Sequence, residues 1–155
     1  MGDGKSEIGS GAEIVAEHPL VQFARERVAP ICELLEMKVE GVEKGRAVAT
    51  LRAGPQHANP MGTLHGGVLC DLADLAMGIA FASTLTEGES FTTVELKINF
   101  FRPVWNGLLR AEGKVAHRGR TIGYVECDVT DEKGKVVAKA NSTCLVLQGA
   151  KAEGR

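Results

Sequence analysis

Residues 59–77 read NPMGTLHGGVLCDLADLAM: a polar loop runs through His65 and Gly66-Gly67 into a long apolar run. From about Gly66 the spacing predicts a helix to Leu85, stopped by Glu87-Gly88. This helix is apolar on nearly every side and carries only two charges, Asp71 and Asp74. A helix without a polar face is expected to be buried. A carboxylate taken into such surroundings is costly unless it is paired or used. At the other end, a glycine start leaves backbone N–H groups unobstructed at the positive pole of the helix dipole, which suits a developing negative charge. Together the two features mark this segment as the candidate functional site.

The flanking sequence supplies the rest of the fold. Residues 1–17 are rich in Gly, Ser and Glu and are expected to form a flexible tail, and their MGDGKS start matches a myristoylation pattern too short to stand out from chance. Residues 18–149 are expected to form one domain, with 150–155 as a C-terminal tail. From Pro19 to about Met37 apolar residues recur at helical spacing, and Pro30 should kink or split the element. Lys38 to Ala53 changes to the period of a strand hairpin, broken at Lys44-Gly45. Beyond the central helix, Val94, Leu96, Ile98 and Phe100 alternate with Thr93, Glu95, Lys97 and Asn99, the pattern of a half-buried strand. Three more strands follow, at about 108–117, 121–131 and 136–147. The predicted class is α+β: one long central helix wrapped by a curved antiparallel sheet of five to six strands. The sheet edges and the rest of the helix need further cover, which predicts at least a homodimer.

Composition excludes several functions. The 155 residues carry a net charge of −2, so no global basic field points to nucleic acid or an anionic membrane. Cys32, Cys70, Cys127 and Cys144 form neither a metal knuckle nor a disulfide framework, which predicts a reduced, cytoplasmic protein without a metal site. Val68 to Leu85 is apolar enough to raise the question of a membrane span, but its two aspartates and the lack of flanking basic residues argue against one.

Among the candidate groups, Asp74 is the first choice for acid–base work and Asp71, three residues away, competes with it. Gly66 and Gly67 are candidate oxyanion donors. Cys70 has no neighbour in sequence to lower its pKa, and Ser83 lacks the turn context of a serine nucleophile. The turn HRGR at 117–120 places Arg118 and Arg120 around Gly119, where they either form a solvated turn or grip phosphate.

Distance constrains how these groups cooperate. Gly66 and Asp74 are eight residues apart, about 12 Å along a helix that rises ~1.5 Å per residue. One helix cannot readily place both on the same substrate atom. Two copies packed antiparallel about a two-fold axis can, with Gly66 of one facing Asp74 of the other.

Asn59, Gly62, His65, Gly66, Gly67, Leu72 and Asp74 form a pattern that resembles the hotdog-fold acyl-CoA thioesterases, and most the phenylacetate-degradation type within the 4-hydroxybenzoyl-CoA thioesterase superfamily. The strand TTVELKINFFRPV at 92–104 is similar to that group's strand after the helix. The resemblance implies a hotdog fold, dimers or dimers of dimers, and an acyl-CoA substrate split to free acid and CoA, with no separate cofactor. By the same resemblance Asp74 is the general base or nucleophile, and the Gly66 N–H polarises the thioester carbonyl. Asn59 and His65 shape the oxyanion side, and Thr93 orients the attacking water. Gly67 belongs to the substrate site, and Arg118, Gly119 and Arg120 are candidates for holding CoA phosphates.

Two rivals stand beside this reading. A hotdog-fold dehydratase uses a His base with an Asp or Glu acid, but His65 precedes the helix rather than lying opposite Asp74. A non-catalytic acyl-CoA-binding module keeps the pocket but does not need Asp74.

Overall fold

The computed structural model describes residues 18–26 and 29–153, so the expected tail at 1–17 lies outside the described residues. Pro30 divides the N-terminal apolar run, as its missing N–H and fixed φ dictate. It yields helices α1 (Pro19–Glu26) and α2 (Pro30–Leu34), each opening on a proline. Val21 and Cys32 turn inward, whereas Ile31 and Leu34 are exposed despite their helical spacing, Leu34 by 74%. The hairpin is β1 (Met37–Glu43) and β2 (Arg46–Ala53). The central helix α3 spans Gly66–Ala82 and is followed by β3 (Glu89–Phe100), β4 (Gly107–Arg118), β5 (Ile122–Thr130) and β6 (Val136–Gln148). One 3-10 turn at Gly149–Lys151 falls where the C-terminal tail was expected to begin.

The six strands form one antiparallel sheet in the order β1-β2-β4-β5-β6-β3. This is the α+β hotdog arrangement: the sheet curls around α3, and its inner face packs on Leu69, Leu72, Ala73, Ala76, Met77, Ala80 and Phe81. Small residues bring sheet and helix together. A Cβ at Gly113 would sit 2.5 Å from the Ala76 carbonyl oxygen, and one at Gly123 would sit 2.0 Å from the Phe81 ring. Only glycine permits such approach of backbone to backbone or ring.

Three expectations change. The helix ends at Ala82 rather than Leu85, because the Ser83 and Thr84 hydroxyls donate back to the Ala80 and Phe81 carbonyls. Ser83 Oγ also accepts the Gly45 N–H at 2.7 Å, which ties the β1–β2 turn to the helix end. Second, α3 is not buried all round. The sheet leaves one stripe uncovered, on which Asp71 and Asp74 are exposed and Gly67, Cys70 and Gly78 are half-buried. Asp74 is therefore not a carboxylate sunk in a closed core. Third, β3 does not hold one phase. Thr93 pairs with Cys144 and Glu95 with Thr143, leaving Val94 as the extra residue of a bulge. Val94 is 57% exposed instead of facing the helix. Phe91 and Thr93 before the bulge, and Leu96, Ile98 and Phe100 after it, look toward α3.

Candidate active site

The start of α3 is built by a hydrogen-bonded loop. Asn59 Oδ1 accepts the N–H groups of Met61 and Thr63, its Nδ2 donates to Thr63 Oγ1 at 2.9 Å, and its N–H donates to the Thr63 carbonyl at 2.7 Å. The side chain thus spends itself on its own turn, and Asn59 fixes the loop that leads into α3. The His65 N–H donates to the His57 carbonyl at 2.9 Å, and the Leu64 N–H to the Val104 carbonyl at 2.7 Å. These bonds set where the helix begins.

His65 is the N-cap. Its Nδ1 accepts the Gly67 N–H at 2.9 Å, so Gly67 is not a free donor. The Gly66 N–H has no hydrogen-bond partner among the described residues. One donor at the positive end of a 17-residue helix is thereby left for an outside acceptor. The Phe100 ring lies over this spot, 3.0 Å from where a Gly66 Cβ would stand.

The carboxylates lie further along the open stripe. Asp74 is exposed on the single chain, yet enough protein surrounds its carboxyl that lost solvation is the main cause raising its pKa, with the negative charge of Asp71 adding to it. Cys144, the cross-strand partner of Thr93, is pushed up by burial and by the charge of Asp74, against the pull of the Ser142 and Thr93 hydroxyls. Thr93, Cys144 and Asp74 therefore share one neighbourhood at the middle of the helix. His65, Gly66 and Phe100 share another at its start. The structure does not bring Gly66 and Asp74 of one chain together.

The thiols are inert by environment. Burial, then Asp71 and Asp74, raise the Cys70 pKa, and burial first of all pushes Cys127 up to about 12.

The HRGR turn divides its two arginines. Arg118 is committed to the fold: it pairs with Glu89 at 2.6 Å, donates to the Gly119 carbonyl and stacks its guanidinium 5.4 Å from the Phe81 ring centre. Both partners are mostly buried, with side-chain exposures of 22% for Arg118 and 11% for Glu89. Burial alone would raise the Glu89 carboxyl, but hydrogen bonds from Thr86, Gln148 and Arg118 outweigh it and hold the pKa at about 2. Gly119 closes the turn through its N–H to the Ile122 carbonyl, and Arg120 is exposed. Of the two guanidiniums of the turn, Arg118 is therefore taken up within the fold and Arg120 stands open to solvent. The signal for Arg118's role was Glu89, which lies 29 residues away in sequence and across the sheet. The contribution of Phe100 was equally hidden, because its phase depends on the Val94 bulge.

Comparison with known proteins agrees with this geometry. A model described as the thioesterase superfamily matches residues 61–138, from the loop before the helix into β6. A protein of Saccharolobus solfataricus described as an esterase is 37% identical over 118 residues, covering 76% of this chain and 84% of that protein. The 1,4-dihydroxy-2-naphthoyl-CoA hydrolase of Listeria monocytogenes is 30% identical over 119 residues, covering 77% of this chain and 97% of that enzyme. Among solved structures, the E. coli PaaI protein from the phenylacetic acid degradation operon superposes with a TM-score of 0.76 at 26% identity, covering 84% of this chain and 93% of that one. Motif, fold and relatives converge: the chain belongs to the thioesterase superfamily and is a thioester hydrolase.

Proposed function

We propose that the protein hydrolyses an acyl-CoA to free acid and CoA at sites shared between two copies of the chain, in a dimer or a dimer of dimers. The observation that carries this reading is the separation on α3. The unpartnered Gly66 N–H lies at the helix start, while Asp74 lies at its middle on a stripe the sheet leaves open, with Thr93 of β3 in its neighbourhood. A second copy laid antiparallel on that stripe brings its Asp74 to this chain's Gly66 and covers the half-apolar face. The thioester carbonyl then accepts the Gly66 N–H, which stabilises the oxyanion as it forms. Asp74 of the facing copy activates water or attacks the carbonyl directly, and the Thr93 hydroxyl beside it orients the water. His65 keeps the helix start in place, Gly67 keeps it narrow, and Asn59 holds the loop behind them. CoA leaves as the thiol, and no metal or separate cofactor enters the scheme. Coenzyme A as the thiol is supported by the relative that acts on 1,4-dihydroxy-2-naphthoyl-CoA. A reducing, cytoplasmic setting is supported by four free thiols.

The test is release of free thiol from a panel of aryl, short-chain and long-chain acyl-CoAs. The expected outcome is hydrolysis of at least one class with kcat/KM within the enzyme range of about 10⁴ M⁻¹s⁻¹ or above. Binding of CoA esters without thiol release across the panel would replace this reading with a non-catalytic binding module.

A further inference from the structure

Of the four histidines, His57 alone is buried, with 4% of it exposed, and the reaction above does not use it. It closes the 3-10 turn Pro55–His57 ahead of the loop into α3. Its N–H donates to the Gly54 carbonyl at 3.0 Å, and its Nδ1 accepts the Gly54 N–H at 3.3 Å, so backbone and ring grip the same residue. A ring nitrogen that accepts an N–H carries no proton, which leaves the hydrogen on Nε2. Nε2 is buried and has no hydrogen-bond partner among the described residues. A buried donor without an acceptor is costly, and an apolar side chain of similar size would avoid that cost. Stability therefore does not account for an imidazole at this position. What the ring offers is the acceptor on Nδ1.

The backbone of the same residue leads to the oxyanion donor. The His57 carbonyl accepts the His65 N–H at 2.9 Å, and the next pair inward, Ala58 and Leu64, forms an antiparallel bridge. Residues 57–65 are thus a short hairpin whose open end abuts the first turn of α3. His65 caps Gly67, and the planar peptide between His65 and Gly66 fixes where the Gly66 N–H points. We infer that His57 is a positioning residue for the reaction. Its Nδ1 locks the Gly54–His57 turn, its carbonyl locks His65, and the Gly66 N–H is thereby held on the thioester carbonyl. The inference rests on Gly66 as the oxyanion donor; His57 itself, being buried, stays out of reach of substrate.

Two substitutions separate the two ring nitrogens. Asn places an amide oxygen where Nδ1 stands, whereas Gln carries its amide out to the position of Nε2. The donor bond strengthens only as the oxyanion forms, so misaligning it lowers kcat and spares KM. The Val104 carbonyl still holds the Leu64 N–H, so the donor is loosened rather than lost. With an acyl-CoA that the wild type turns over, kcat of His57→Ala should fall about ten- to 100-fold, with KM within about twofold. His57→Asn should recover kcat to within about threefold of wild type, and His57→Gln should stay as low as His57→Ala. In the Gly66→Pro background, where no donor remains to be aimed, His57→Ala should lower kcat by less than about twofold, while in Gly66→Ala it keeps its full effect. Equal kcat in the Asn and Gln variants, or the same loss in both Gly66 backgrounds, would overturn the inference and leave His57 as general support of the fold. Where His57→Ala fails to fold, the Asn–Gln comparison decides alone. Equal rates in Gly66→Pro and Gly66→Ala with His57 in place would bring down the donor reading and this inference with it. A normal difference between those two, alongside no Asn–Gln difference, brings down His57 alone.

Discussion

His65 Nδ1 accepts the Gly67 N–H at 2.9 Å, and that bond singles out Gly66 as the one open donor of the glycine pair. Gly66 is the first helical residue, and His65 before it holds φ −65° and ψ 132°, a conformation that a following proline accepts. Gly66→Pro therefore removes the N–H without breaking the helix, while Gly66→Ala adds a comparable Cβ and keeps it. We expect kcat for the proline variant to fall about 100- to 1000-fold below that of the alanine variant. Equal rates in the two would remove Gly66 as the oxyanion donor.

Asp74→Asn should abolish thiol release while leaving the protein folded. The same change should raise Tm measured at neutral pH. The pKa of Asp74 is raised in the folded state, so the folded protein prefers its carboxyl protonated, and the ionised form costs stability once pH exceeds that raised value. An amide carries no such cost. A lowered Tm in Asp74→Asn would mean that Asp74 is held by a stabilising partner instead.

In the proposed reaction the ionised carboxylate is the working form, so kcat/KM should rise with pH along a limb displaced above the ordinary Asp value of about 3.9. Lost solvation is the larger cause of that displacement and the charge of Asp71 the smaller. Asp71→Asn should thus move the limb to lower pH without erasing it, read from pH–rate profiles of the two proteins. A limb that stays put in Asp71→Asn would disconnect it from Asp74.

If each reaction centre draws Gly66 from one copy and Asp74 from the other, two dead variants should rescue each other. In a mixed dimer of Gly66→Pro and Asp74→Asn, one centre holds both defects and the second holds none. Co-refolding equal amounts should therefore restore about one quarter of wild-type activity, given random pairing into two-fold dimers. Lack of any rescue in dimers shown to have exchanged would falsify the shared-site geometry.

Arg118 should report on stability rather than on substrate. Arg118→Ala leaves Glu89 with most of its burial and without its cation, at a cost of about 3 kcal/mol. Because the Glu89 pKa is depressed to about 2, its contribution is present above the ordinary carboxylate range and is lost as pH falls toward 2. Wild type and variant should accordingly converge in denaturant midpoint below about pH 3, having differed at pH 7. A variant with wild-type stability and a raised KM for acyl-CoA would restore Arg118 as a phosphate ligand.

Much of the fold was legible from local pattern. Pro30 split the first helix, Lys44-Gly45 turned the hairpin and alternation marked the strands, each through backbone sterics or period alone. The acid–donor separation was legible too, since helical rise is a constant. What stayed hidden depends on partners distant in sequence. The commitment of Arg118 is decided by Glu89 across the sheet, and the openness of Asp74 by how far a single sheet can wrap. The loop role of Asn59 could be seen only once Thr63 was placed. Alternation named Val94 as an inward residue because a bulge is invisible to a count of two.

That extra residue has a consequence for how such a site can change. Thr93 and Phe100 differ by an odd number of positions, so on an unbroken pleat they would look to opposite sides. With Val94 inserted, both look toward α3, so that under the proposed shared-site geometry one strand would serve the acid end of one reaction centre and the donor end of the next. Loss of the single codon for Val94 would bring Thr93 and Phe100 to an even separation of six, so a straightened strand would still turn both toward the helix, whereas a second inserted residue would put half of the strand back to front.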